Sequence, residues 1–133
     1  MFTKILVAID GKDTSMKALM EAQRMALSNH GTLRIVYVAT EETDPKAGLK
    51  LLAQAKSAVG DGVTVDTRVL YTEAVYGVTG IVDALANGTR EWGADLVVLG
   101  SSHRRALERW VIGSVAEQLF SKIDASVLVV RSQ

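Results

Sequence analysis

Residues 93–100 read Gly-Ala-Asp-Leu-Val-Val-Leu-Gly, and this stretch decides the fold. Four apolar residues in a row, 96–99, lie between Asp95 and Gly100 without any polar alternation. An apolar run this short is typical of a strand buried on both faces, and such strands occur in parallel sheets covered by helices. The stretch therefore predicts an α/β protein built on a parallel sheet.

Four further segments have the length and composition of strands. Three of them, residues 5–9, 33–38 and 127–130, are also nearly continuous apolar runs. The segment 63–70 alternates apolar and polar residues instead. We expect one face of that segment to meet water, as on a strand nearer an edge of the sheet.

Helical patterns separate the predicted strands. Apolar stripes at helical spacing occur within residues 18–26, 51–59, 78–86 and 115–123. Asp44-Pro45 begins the second helix, because proline suits the first helical turn, whereas Asn87-Gly88 weakens the third and leaves its end open. Parallel strands need crossover connections, so helices on both faces of a doubly wound, five-stranded sheet are expected.

The ends of the first and fourth helices carry capping signals. Asp13 and Thr14 are cap candidates for the first helix, and Gly31 is its predicted stop. Ser114 and Glu117 have the spacing of a capping box at the start of the fourth.

Composition excludes several classes of protein. The chain of 133 residues has the size of one domain, residues 1–133, and contains no internal repeat or linker. With 15 basic and 15 acidic side chains, it has no general attraction for nucleic acid or an anionic membrane. It has no cysteine, no signal-peptide pattern and no apolar run long enough for a membrane span, which fits a soluble cytoplasmic protein.

Two loops follow predicted strands at the edge of the sheet where ligands bind in open α/β folds. The first, residues 9–13, contains Asp10. The second runs from Gly100 through Ser101, His103 and Arg104 to Gly113. If the two preceding strands are neighbours, these loops face each other across one cleft.

The second loop has the ingredients of an anion site. The first amides of a helix starting at Ser114 and Val115 favour a phosphate, and the loop adds serine hydroxyls and the charge of Arg104 and Arg105. A purely structural interpretation remains open: glycine is common after strands, Ser114 caps its helix, and the arginines are solvated.

These residues closely resemble the universal stress protein family over essentially the whole chain. The resemblance is carried by residues 4–11 (Lys-Ile-Leu-Val-Ala-Ile-Asp-Gly), 93–100, 113–117 (Gly-Ser-Val-Ala-Glu) and 126–131 (Ser-Val-Leu-Val-Val-Arg). It implies a three-layer sandwich of the adenine nucleotide alpha hydrolase-like type, with strand order 3-2-1-4-5. It also implies a homodimer formed through the last strand, which begins at Ser126 and ends at Arg131.

The resemblance extends to the loop of the family's ATP-binding members. Gly100 and Gly113-Ser114 match that motif at the right spacing, but His103 replaces its second glycine. The motif implies ATP, ADP or AMP as the ligand. By the same resemblance Asp10 lies near the ribose, the phosphates or a magnesium ion, and the backbone of Val38 lies near the adenine.

Three functions are weighed on this basis. The first is a regulatory stress-response protein that binds an adenine nucleotide. The second is a dimeric interaction module without nucleotide, favoured by His103 and by Lys12, which replaces the serine usual after Asp10-Gly11. The third, an enzyme, ranks last because no residue set is built for fast chemistry, so at most slow ATP hydrolysis is expected. A P-loop, a dinucleotide fingerprint and a nucleophile elbow are all absent from the sequence.

Overall fold

Five parallel strands form one sheet in the order β3-β2-β1-β4-β5. The computed structural model describes residues 2–101 and 114–131. The strands are β1 (Lys4–Ala8), β2 (Thr32–Ala39), β3 (Thr64–Tyr71), β4 (Leu96–Gly100) and β5 (Ser126–Val130). The predicted all-parallel α/β fold and its strand order are confirmed.

Helices cover both faces of the sheet. They are α1 (Asp13–Asn29), α2 (Pro45–Val59), α3 (Gly77–Trp92) and α4 (Ser114–Phe120), and a 3₁₀ turn, Ala74–Tyr76, precedes α3. The apolar stripes of α1 and α2 pack with Ile5, Val7 and Ile35 on one face. Those of α3 and α4 pack with Leu6 and Val36 on the other. Because consecutive strand residues point to opposite faces, the unbroken apolar runs fill both layers.

The helix ends differ in detail from the sequence prediction. Lys12, not Asp13 or Thr14, occupies the position before α1, and its side chain makes no capping hydrogen bond. The helix ends at His30, whose φ of 54° is left-handed and turns its N–H back toward the last carbonyls. Gly31 has another role, since a Cβ there would lie 3.0 Å from the carbonyl oxygen of Thr3.

The other predicted helix ends agree more closely. The side chain of Asp44 accepts a hydrogen bond from the N–H of Lys46 at 3.0 Å, and Pro45 is the first residue of α2. Helix α3 continues through Asn87 and Gly88 to Trp92. A Cβ at Gly88 would lie 3.0 Å from the side chain of Leu70, so glycine lets α3 approach β3 closely.

Two carboxylates, one on the edge strand β3 and one directly before β4, are held by hydrogen bonds. Asp66 on β3 accepts hydrogen bonds from the Nε and Nη2 groups of Arg34, both at 2.9 Å. These bonds lower the pKa of Asp66 against the opposing effect of partial burial. Burial acts to raise the pKa of Asp95, but hydrogen bonds from Thr3 and the Lys4 N–H outweigh it, so the net shift is downward. Both groups therefore favour the folded state in their ionised forms.

In the described part of the chain, no helix is long and apolar enough to cross a membrane.

Candidate functional site

A hollow of about 510 Å³ opens at the carboxyl ends of β1, β2 and β4. Strand β1 is the central strand here, with β2 on one side and β4 on the other. The chain therefore winds away from β1 in both directions, and this switch point is where open α/β sheets leave a crevice. The hollow is lined by Ala8, Ile9, Asp10, Lys12, Thr14, Ser15, Tyr37, Val38, Val78, Ile81, Leu85, Leu99, Gly100, Ser101, Val115 and Ala116.

Asp10 lies at the mouth of the hollow in a tight turn between β1 and α1. Its Oδ1 accepts a hydrogen bond from the N–H of Lys12 at 2.9 Å, while the buried Ser15 hydroxyl donates to the Lys12 carbonyl and accepts from the Asp10 N–H. Gly11 has a φ of +88°, which glycine adopts without strain. This network orients an exposed carboxylate toward the cleft without requiring a ligand.

Val38 contributes its main chain to the hollow. The last hydrogen bond between β1 and β2 runs from the N–H of Ile9 to the carbonyl of Val36 at 3.0 Å. The polar groups of a strand alternate in direction, so those of Val38 point the same way as those of Val36. They lie beyond the end of β1, and one donor and one acceptor therefore face the space of the hollow.

Gly100 is required by close packing between β4 and α1. A Cβ at this position would lie 2.8 Å from the carbonyl carbon and oxygen of Thr14, in the first turn of α1. Because those atoms are backbone, they cannot swing away as a flexible side chain would. The next residue, Ser101, donates its N–H to the carbonyl of Val130 at 2.8 Å and so extends the β4–β5 ladder.

The remaining sequence-predicted residues belong to the start of α4 or to the stretch of sequence before it. Val115 lines the hollow, whereas Ser114 is the exposed first residue of the helix and is not among the lining residues. His103, Arg104 and Gly113 lie outside the described residues. The structure thus brings Asp10, Val38, Gly100, Ser101 and Val115 together around one cavity.

The apolar wall of the hollow was not recognised from the sequence. Val78, Ile81 and Leu85 of α3 line it, and the helical stripe that contains them predicted only core packing. Tyr37 closes the opposite side, with its ring against Gly48 of α2, where a Cβ would be 2.8 Å from two ring carbons. Their place in the chain was the available signal. Val78 and Ile81 lie near the start of α3 and Tyr37 lies near the end of β2, and both places are at the same edge of the sheet as Asp10 and Gly100.

The described lining residues include two charged side chains, Asp10 and Lys12. The two carboxylates with a shifted pKa, Asp66 and Asp95, do not line the hollow. Within residues 2–101 and 114–131, no group of three histidine, aspartate or glutamate side chains is placed to hold a metal ion. The described walls therefore offer a binding surface and the carboxylate of Asp10.

Comparison with protein families gives one match that spans nearly the whole chain. The model described as the universal stress protein family matches residues 1–131. The chain belongs to the universal stress protein family. Among curated members of this family, the universal stress protein YxiE of Bacillus subtilis is 30% identical over an alignment 155 positions long. The alignment covers 98% of this chain and 100% of the relative.

Solved universal stress protein structures share the fold. One, in complex with cAMP, has a TM-score of 0.75 at 21% identity and covers 99% of both chains. Another, from Archaeoglobus fulgidus in complex with dAMP, has a TM-score of 0.72 at 22% identity, covering 97% of this chain and 98% of its own. Likeness at this level of identity confirms the architecture.

Proposed function

We propose that this universal stress protein binds ATP or a related adenine nucleotide in the hollow and acts as a regulatory, cytoplasmic protein of the stress response. The observation that carries the proposal is the combination of apolar walls, free main-chain groups of Val38 and the carboxylate of Asp10 in one cavity of about 510 Å³. Ligand pockets typically pair apolar walls with a few well-placed polar groups. The two related structures with cAMP and dAMP also support it.

The apolar end of the hollow suits the base. Ile81 and Leu85 of α3 provide a wall against which a planar ring loses water-exposed apolar area, which is favourable. The donor and acceptor of Val38 lie beyond the last β1–β2 rung, where they match the paired acceptor and donor on the edge of adenine. We therefore assign Val38 to recognition of the base.

The polar mouth suits the ribose and phosphates. Asp10 can accept hydrogen bonds from ribose hydroxyls or hold a nucleotide-bound magnesium ion, since Mg²⁺ prefers oxygen ligands. For the phosphates we propose Gly100, Ser101, His103, Arg104 and the Gly113-Ser114-Val115 segment. Main-chain N–H groups and arginine are the usual phosphate donors.

Native mass spectrometry of the purified protein tests the proposal directly, because carried-over nucleotide appears as added mass. Calorimetric titration with ATP, ADP and AMP then ranks the ligands. We expect Gly113→Val to abolish binding and Ile81→Trp to weaken it by filling the apolar wall. The matched control is Glu91→Trp, on the exposed surface of the same helix. Equal affinity in Ile81→Trp and Glu91→Trp would contradict binding in this hollow.

His103 requires its own variant. A histidine in place of the motif's glycine either obstructs the phosphates or contacts them. If it obstructs, His103→Gly strengthens ATP binding; if it contributes a contact, the same change weakens it. At most slow release of phosphate is expected in all variants.

A second candidate is a dimeric interaction module that does not bind nucleotide. The observation that favours it is β5, an edge strand with four consecutive apolar residues, 127–130. An exposed apolar edge invites pairing with another strand, and we propose that it pairs with β5 of a second copy, from Ser126 to Arg131. Protein that is dimeric but empty in native mass spectra, and that fails to bind added ATP, would favour this candidate.

A further inference from the structure

Residues 71–78, from the last residue of β3 to the first turn of α3, expose apolar side chains at unusual density. The described chain has eight large apolar side chains that are exposed, and four of them, Tyr71, Val75, Tyr76 and Val78, lie within these eight positions. Val75 is 81% exposed and Tyr71 75%. Scattered apolar residues on a surface are ordinary, but a contiguous group marks an interaction site. We call these four residues the β3–α3 patch.

The patch is held in place by its own contacts. The Ala74 N–H donates to the Glu41 carboxylate at 3.0 Å, and the Thr72 N–H donates to the Ala39 carbonyl at 3.0 Å. Gly80 of α3 lies against Thr72 and against the Cβ of Tyr76, with no room for a side chain of its own. The apolar side chains are thus presented on an anchored turn, which lowers the ordering cost of binding.

Acidic side chains occur in the patch segment and in the turn that contacts it. Glu41, Glu42 and Asp44 lie in the neighbouring turn after β2, and Glu73 lies within the patch segment itself; all four are exposed. Residues 40–46 and 71–78 together contain those four acidic residues and one basic residue, Lys46. Like charges repel, so an anionic lipid surface or a nucleic acid does not suit this rim.

We propose that the β3–α3 patch is a docking surface for a partner protein segment that combines apolar side chains with lysine or arginine, such as a basic amphipathic helix. Apolar anchors would cover Tyr71, Val75 and Tyr76, and the basic side chains would meet Glu42 and Glu73. Complementary charge of this kind sets partner choice and speeds encounter. Three members of the patch, Tyr71, Val75 and Tyr76, do not line the hollow, and only Val78 is shared with it.

A peptide titration followed by ¹H–¹⁵N spectra tests the proposal. The probe is a synthetic amphipathic helix with leucine on one face and lysine on the other, and its partner control replaces each lysine with glutamate. We expect saturable shifts in the amides of residues 40–44 and 71–78 with the lysine peptide only. Absence of binding up to about 1 mM, or shifts confined to other residues, would overturn the proposal.

Matched variants sharpen the result. Val75→Ser/Tyr76→Ser should raise the Kd for the lysine peptide about tenfold or more, because it removes the apolar anchors. Phe120→Ser, at a similarly exposed apolar side chain on α4 and outside the patch, should leave that Kd unchanged. Glu73→Lys should also weaken binding, most strongly at low salt.

Two further observations decide the occupant and separate this idea from nucleotide binding. Shifts in residues 71–78 that appear on raising the protein concentration alone would identify a second copy as the occupant and overturn the proposal. Val75→Ser/Tyr76→Ser should bind ATP as the unmodified protein does, since neither residue lines the hollow. A failure of nucleotide binding in both proteins would therefore leave the peptide result intact.

Discussion

The two edge strands of this sheet, β3 and β5, differ in how readily they can pair with a strand of another chain. Each has one hydrogen-bonded neighbour, β2 and β4 respectively. Strand β3 alternates polar and apolar residues and carries Asp66 and Arg68. Strand β5 is Ser-Val-Leu-Val-Val, without a charge, although its four apolar residues are only partly buried. Charges discourage a sheet edge from pairing with another chain, and an uncharged apolar edge permits it.

The difference shows that apolar composition alone does not place a strand inside a sheet. Residues 127–130 have the pattern of the fully buried β4, yet they lie at the rim. Their side chains pack in both layers, with Leu128 and Val130 on the α1 face and Val127 and Val129 on the α4 face. The unbroken apolar pattern of β5 thus reflects the helices on both faces of the strand. In the proposed dimer, a second copy of β5 would complete the burial of these side chains.

The largest expected effect comes from blocking the β5 edge. The N–H of Ser126 donates to the carbonyl of Asp95, and the carbonyl of Val130 accepts from the N–H of Ser101. The main-chain groups of these two residues therefore point toward β4, and those of the alternating Val127 and Val129 point away from the sheet. Val129→Pro removes an outward donor while sparing the β4 ladder. In the proposed dimer a twofold axis repeats the loss of about 1 kcal/mol, so the association constant should fall about 30-fold, as measured by sedimentation.

The matched variant on the opposite edge is Thr67→Pro. The N–H of Thr72 donates to the carbonyl of Ala39 on β2, so the main-chain groups at even-numbered positions of β3 point toward β2. Those of Thr67 point outward. Its substitution should not alter the oligomeric state. If Thr67→Pro dissociates the proposed dimer and Val129→Pro does not, the dimer forms through β3 and not through β5.

The next largest effect concerns the ion pair between Arg34 on β2 and Asp66 on β3. Arg34 is largely buried, makes two hydrogen bonds to Asp66, and lies 4.6 Å from the ring centre of Trp92. Asp66→Asn keeps the shape but removes the charge that Arg34 faces. We expect the free energy of unfolding to fall by about 1 kcal/mol, since Asp66 is itself partly exposed. Urea denaturation measures it, and no change would show that the pair does not stabilise the fold.

Acid should destabilise the protein through the same carboxylates. The pKa values of Asp66 and Asp95 are lowered from 3.8 in the folded state. Their contribution is therefore complete well above pH 3.8 and is lost as the pH falls through the lower folded values. Urea denaturation at pH 7 and pH 3 should show a smaller loss for Asp66→Asn/Asp95→Asn than for the unmodified protein. Equal losses would exclude these two groups as the acid-sensitive ones.

The smallest effect is expected at the exposed charge next to that pair. Arg68 approaches Asp66 at 3.9 Å, and both side chains are largely accessible to water. Arg68→Ala should change the free energy of unfolding by no more than about 0.5 kcal/mol. A loss of unfolding free energy as large as that of Asp66→Asn would mean that Arg68 contributes as much as Arg34 to the stabilisation of Asp66.

Much of the site could be anticipated from the sequence, because its polar residues follow strands. Asp10 lies two positions after β1 and Gly100 is the last residue of β4, and parallel strands deliver their carboxyl ends to the same edge. The need for glycine at position 100 could not be assigned to a cause, since the atoms it must avoid belong to Thr14, 86 positions earlier in the chain. The apolar wall at Ile81 and Leu85 was hidden for a related reason. A helical stripe looks the same whether it faces a core or a cavity.

What the sequence by itself determined was the fold. Short unbroken apolar runs separated by helical stripes leave few alternatives to a covered parallel sheet, because each local period dictates its own element and crossovers have one hand. Only the tertiary structure decided which strand end lies opposite which helix start, how near Thr14 comes to Gly100, and that four apolar side chains of residues 71–78 stay in water. These are contacts between residues far apart in the chain or exposures set by the packing of whole elements, and no local pattern encodes them.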